Sequence, residues 1–215
     1  MRYILALTAA GAALALPAGA NAAAFVNGSF ESGVAPGTYT TVAGGDSSSI
    51  TGWTATGNSV DYIGSYWQAQ DGGRSIDLNG NAQGGIEQTF DTVAGTLYNV
   101  TFWLAGNTDG APVTKSVLVG ATGNAGQLFT FDSSSFDKTN MGWAQYTYNF
   151  VAQGASTTLS FGSQDAGAYG AALDNVSLLT GGGVPEPATW GLMILGFGGI
   201  GAVMRRRRDA RASIA

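Results

Sequence analysis

Apolar residues recur at every second position in a series of short runs. Within Tyr98–Leu104, the residues Tyr98, Val100, Phe102 and Leu104 share one face, and Asn99, Thr101 and Trp103 share the other. Tyr146, Tyr148 and Phe150 alternate in the same way within Gln145–Phe150, as do Leu159 and Phe161 within Thr157–Phe161. A period of two is the mark of a strand with one buried face. Further strands are predicted over Ser59–Ile63, Arg74–Leu78, Gly85–Phe90, Thr114–Val119, Gln127–Phe131 and Ala172–Leu178. Turn-forming clusters separate them: Gly44-Gly45-Asp46, Asp71-Gly72-Gly73, Asn79-Gly80-Asn81 and Gly123-Asn124. Many short strands and no long helical pattern predict an all-β fold, a single jelly-roll β-sandwich over residues 25–180. Trp53 and Trp143 are assigned to its core.

The two ends follow a different pattern. Residues 1–24 carry one basic residue, Arg2, then an apolar stretch to Leu16, a break at Pro17 and small residues that fit A-x-A cleavage. This predicts a secretory signal peptide, with a buried N-terminal helix as the alternative. At the other end, Ala188 to Met204 contains no charge. As a helix it would be about 25 Å long, the short end of what spans a bilayer core. Arg205, Arg206, Arg207 and Arg208 follow it and predict a cytoplasmic tail over 205–215. Between sandwich and span lies a linker, residues 181–187, that ends in Pro185-Glu186-Pro187. The two prolines disfavour helix and hold the segment extended, as a protease needs it.

Charge changes the picture once it is partitioned. The chain is formally −5. Between the processed ends only Arg74, Lys115 and Lys138 are basic, against twelve acids, so the domain itself stands at −9. Such a domain repels nucleic acid and anionic lipid. The chain has no cysteine and no histidine. That excludes Ser-His-Asp and Cys-His nucleophiles and zinc sites built on Cys and His. Two-carboxylate glycoside hydrolysis needs only Asp and Glu. No motif here singles out such a pair, and Glu31 and Glu87 are the only glutamates in the domain.

The tail, with Pro185-Glu186-Pro187, the apolar run, Trp190 and the closing arginines, resembles the PEP-CTERM sorting signal. That resemblance implies processing by exosortase after transient anchoring in the inner membrane, then transfer to the cell surface or the exopolysaccharide matrix. A permanent membrane anchor is the alternative. The frame Asn27-Gly28-Ser29-Phe30-Glu31, Gly52-Trp53 and Asp174-Asn175-Val176-Ser177-Leu178 resembles galactose-binding-like jelly rolls, including carbohydrate-binding modules. Ser75-Ile76-Asp77-Leu78-Asn79-Gly80 and Gly85-Ile86-Glu87-Gln88-Thr89-Phe90 resemble the choice-of-anchor C surface proteins.

If Ala172–Leu178 is a regular strand, Asp174 shares its face with Val176 and Leu178, and a buried carboxylate there requires a partner. The resemblance implies a structural Ca²⁺ held by Glu31 and Asp174, with backbone oxygens of Asn27 or Ser29 as further ligands. The alternative is that Asp174 accepts backbone N–H bonds at a turn while Glu31 is solvated. For a glycan binder the candidate contacts are Trp103, Tyr62, Tyr66, Trp67 and Arg74, each of which could instead serve the core. The expectation is a non-catalytic exported domain that binds extracellular polysaccharide. The competing readings are an adhesive matrix protein without a sugar pocket and a carboxylate-based glycoside hydrolase.

Overall fold

The computed structural model describes residues 23–181, so the expected signal peptide, span and arginine tail lie outside the described residues. Among those described, no helix is long and apolar enough to cross a membrane. Eleven strands form two antiparallel sheets. They are β1 (Tyr39–Ala43), β2 (Thr54–Gly57), β3 (Ser59–Ile63), β4 (Ser75–Asp77), β5 (Gly84–Asp91), β6 (Leu97–Gly106), β7 (Thr114–Ala121), β8 (Gln127–Asp132), β9 (Ala144–Val151), β10 (Ser156–Ser163) and β11 (Ala171–Thr180). One sheet runs β1-β3-β4-β11-β6-β9 and the other β2-β5-β10-β7-β8. Nine of these strands overlap the predicted ones. The additional pair, β1 and β2, are short and rich in Thr, so neither presents an alternating apolar row.

The sandwich closes on the inward faces that the alternation marked. Val100, Phe102 and Leu104 of β6 are fully buried, as are Leu159 and Phe161 of β10. Phe102 joins the two layers, with its ring 5.1 Å from Phe129 and 5.2 Å from Phe161, edge to face in both pairs. Trp53 lies in the core as expected. It stacks against Phe25, Phe30 and Phe161 and donates its indole N–H to the Asn27 carbonyl at 2.9 Å. Trp143 does not. It is half-buried at the sheet surface, with its indole N–H donated to the Gln68 carbonyl.

Strand β11 departs from regular alternation. Asp174 pairs with Trp103 and Ser177 with Thr101, so two residues of β11, Asn175 and Val176, stand opposite Phe102 of β6. The extra residue is a β-bulge, with Asn175 at φ 45°. The bulge turns Val176 and Leu178 inward and leaves Asp174 on the outer face of the six-stranded sheet. The expected shared face of Asp174, Val176 and Leu178 is therefore corrected, because the alternation slips by one residue between them. Gly28 seats the N-terminal segment on this bulge. Its carbonyl accepts the Val176 N–H at 2.8 Å, and a Cβ on Gly28 would stand 1.8 Å from the Val176 oxygen.

Candidate functional site

The loop between β3 and β4 lies over the outer face of the six-stranded sheet. Asp174 holds its middle, with Oδ2 accepting the N–H groups of Gln70 at 2.8 Å and Asp71 at 3.0 Å. Glu31 holds its end, with Oε1 accepting from Gly73 at 2.9 Å and Arg74 at 2.8 Å. The Trp143 indole and the Lys138 carbonyl bind Gln68 from the far side. Under this cover Asp174 has no exposed surface. Burial raises its pKa to about 7, although three backbone N–H groups, including that of Asn175, pull the other way.

These contacts also decide the fit of calcium. Both oxygens of Asp174 and Oε1 of Glu31 face backbone N–H donors, which occupy the directions a cation would need. Calcium takes six to eight oxygen ligands. Among the described residues, no three acidic, histidine or cysteine side chains gather as a metal site. The residues present do not fit a calcium ion shared by Glu31 and Asp174. They fit the alternative for Asp174, and Glu31 joins it in binding loop backbone.

The predicted glycan contacts separate into two groups. Tyr62 is 0% exposed, so its ring is closed to a ligand, and its hydroxyl donates to the Phe30 carbonyl. Trp67 is 5% exposed, with its indole N–H spent on Ser75 Oγ at 2.8 Å. Arg74 donates Nη1 to the Tyr62 hydroxyl at 2.8 Å and reaches toward the Gly33 and Val34 carbonyls, so it braces the N-terminal segment. Tyr66 and Trp103 remain available on the surface, both half-buried.

Tyr66 opens onto a cavity of about 170 Å³ on one side of the loop. Tyr39, Tyr66 and Tyr169 rim it, and Asp61, Asp77, Asp109 and Asn107 give it polar walls. Tyr39 is 48% exposed and meets the Tyr66 ring edge-on at 5.2 Å. The register explains the assembly: Thr41, Asp61 and Asp77 are direct cross-strand neighbours on β1, β3 and β4. Composition did not reveal this group. The available signal was two aspartates inside strands, where Asp is depleted.

A buried polar network forms the floor. Asp77 is fully buried, and accepts from the Asn79 N–H, the Gly170 N–H and the Asn107 amide. Burial raises its pKa to about 7, and Asp61 beside it adds to the shift. Burial pushes Asp61 upward as well. Lys115 lies underneath, with no exposed surface. Its ammonium donates to the Gly110 carbonyl at 3.0 Å and the Tyr169 carbonyl at 2.7 Å, which ties two rim loops together. At the rim, burial acts to raise Asp109, but its bonds to Lys138 and Tyr66 outweigh that and leave its pKa below the ordinary value.

On the other side of the loop, Trp103 and Trp143 line a wider, shallower cleft of about 400 Å³ with Gln68, Gln70 and Asn140. Glu87 stands apart from both depressions, on β5 of the other sheet.

Residues 23–179 match the family described as "Protein of unknown function (DUF642)". The chain belongs to the DUF642 family. Residues 183–208 of this DUF642 protein match the PEP-CTERM protein-sorting motif, as the tail led us to expect. A stretch of 160 residues is 33% identical to Halomucin of Haloquadratum walsbyi; it covers 71% of this chain and 2% of that much longer protein. Similar solved structures include a CBM35 from Paenibacillus barcinonensis, at 20% identity and a TM-score of 0.42, over 66% of this chain and 99% of that one. TmCBM61, solved in complex with β-1,4-galactotriose, is 15% identical with a TM-score of 0.43, over 74% of this chain and 99% of that one.

Two predictions follow from the buried carboxylates. The folded pKa of Asp77 and of Asp174, about 7, lies above the unfolded value near 4, so the native state holds the extra protons between those limits. Stability therefore falls as pH rises through this window. The acids with lowered values, Asp46, Asp109, Asp132 and Asp137, act in the opposite sense, but only below about pH 4. Urea unfolding should show the protein more stable at pH 5 than at pH 8 by at least about 1 kcal/mol; equal midpoints would show that both carboxylates stay ionised. For calcium, the expected melting temperature is the same in chelator and in millimolar Ca²⁺. A rise of several degrees with the ion would restore it as a ligand of Glu31 and Asp174.

Proposed function

We propose that this protein is an exported glycan-binding protein, processed by exosortase at its C-terminal signal and delivered to the cell surface or extracellular matrix. The sorting motif over residues 183–208 supports the route. The observation that carries the binding reading is the cavity rimmed by Tyr39, Tyr66 and Tyr169. Aromatic rings at the rim offer flat apolar faces to the C–H faces of a sugar, while Asp61 and Asp109 offer acceptors to its hydroxyls. At about 170 Å³ the cavity is smaller than a drug-sized pocket and suits one sugar ring, not a buried chain. The Trp103–Trp143 cleft offers the same sheet face a second aromatic contact. No catalytic step is assigned. The buried Asp77 is fixed by three N–H donors, and Glu31 holds the loop.

Two measurements test this. Intact mass of the protein from its native host should end near Pro185-Glu186-Pro187 when exosortase works and extend to Ala215 when it does not. Retention of the tail in both hosts would make the protein a permanently anchored one. A glycan array probed with the full chain in detergent should show binding that Tyr39→Ala weakens about tenfold, or 1.4 kcal/mol. An array without any bound glycan would favour the adhesive matrix reading.

A further inference from the structure

The cavity offers hydrogen-bond acceptors in excess of donors. Asp61 is half-buried, and among the described residues its one hydrogen bond comes from the Thr41 hydroxyl, to Oδ1 at 2.6 Å. The cross-strand pairing sets Asp61 directly beside Asp77, an arrangement that is destabilising when both are charged. Lys115 feels the charge of Asp77 from below, but neither of the two neighbouring lysines bonds to Asp61. Lys138 pairs with Asp109 at 2.8 Å, and Lys115 is committed to two carbonyls beneath the rim.

The excess continues into the floor. Asn79 is 0% exposed, and its Oδ1 is buried without a hydrogen-bond partner. Its amide nitrogen already donates to the Asp165 and Gly167 carbonyls at 2.9 and 2.7 Å, so a flip would sacrifice both bonds. The Asn79 Oδ1 and the Asp77 Oδ1 converge on one point, 2.5 and 2.7 Å from where a Cβ on Gly170 would stand. Both oxygens face Gly170, beneath the lining of the cavity, which includes Asp77 but not Asn79.

The rim shows how this chain binds an ammonium group. Lys138 Nζ sits 4.0 Å over the Tyr66 ring while bonded to Asp109, which joins a cation–π contact to an ion pair. Tyr39 and Asp61 offer the same two elements, an exposed ring and a carboxylate, without a lysine. We propose that the cavity takes the protonated amine of an amino sugar, held by the Asp61 carboxylate and the Tyr39 ring. An ammonium group brings three donors and a positive charge to a site short of both. A hard divalent cation suits it less well, because the Asp77 oxygens already face three N–H donors. The proposal rests on the reading of this cavity as a glycan site and specifies its ligand.

Calorimetric titration of the full chain in detergent tests it with three probes: a β-1,4-linked glucosamine hexamer, its fully N-acetylated counterpart and a β-1,4-linked glucose hexamer. At low salt the free-amine hexamer should bind at least tenfold tighter than the other two, and the margin should shrink as salt rises. Asp61→Asn, which keeps an oxygen acceptor for Thr41, should reduce the margin to under twofold. Tyr39→Ala, at an exposed ring, provides a second variant and should weaken amine binding at least fivefold if Asp61→Asn does not fold. Equal affinity for all three hexamers would overturn the amine proposal and leave the glycan reading standing. No binding of any hexamer by the folded wild-type chain, together with an empty glycan array, would overturn both. Amine binding unchanged by both substitutions would also overturn the assignment to this cavity.

Discussion

Two carboxylates hold the β3–β4 loop against the sheet, and the shape of the outer face follows from that constraint. Asp174 takes the Gln70 and Asp71 N–H groups, and Glu31 takes those of Gly73 and Arg74. A loop without regular structure carries backbone donors that must be satisfied wherever water is excluded. Here the carboxylates satisfy them. The loop then divides the face into an aromatic cavity on the β1 side and a tryptophan cleft on the β9 side. Arg74 and Tyr62, at the end of the same loop, tie it to the N-terminal segment near Phe30.

The second determinant is the buried polar network under the cavity. Asp77, Asn79, Asn107, Lys115 and Asp165 are all at least nine-tenths buried, yet nearly every polar group in the set has a partner. Such a network draws three connections, β4–β5, β6–β7 and β10–β11, onto one point at the end of the sandwich. It positions Asp109 and Tyr169 at the rim. The same burial raises the pKa of Asp77 to about 7, so the floor of the cavity titrates near neutral pH.

Much of this protein was legible before folding was considered. The alternation in β6, β9 and β10 identified the inward faces, because a strand buried on one side has no other way to place apolar groups. The sorting tail was legible for a different reason: its motif lies in one continuous stretch of local sequence. Trp143 was assigned to the core, and Tyr62 and Arg74 stood between core and ligand, because residue type says little about whether a ring or guanidinium is covered. Asp174 was placed on the wrong face because a bulge of a single residue reverses everything beyond it.

Sequence alone determined the all-β class, most strand positions, the exported route and the excess of acid over base, since each depends on local pattern or on composition. Tertiary structure alone decided which acids are neighbours. Asp61 and Asp77 are sixteen positions apart, and only the β3–β4 register sets them side by side. Tyr39 and Tyr169 lie at opposite ends of the domain and line one cavity because β1 and the β10–β11 connection converge there. Sites of this kind depend on pairing between strands distant in the chain, and that pairing is set by the packing of the whole sandwich.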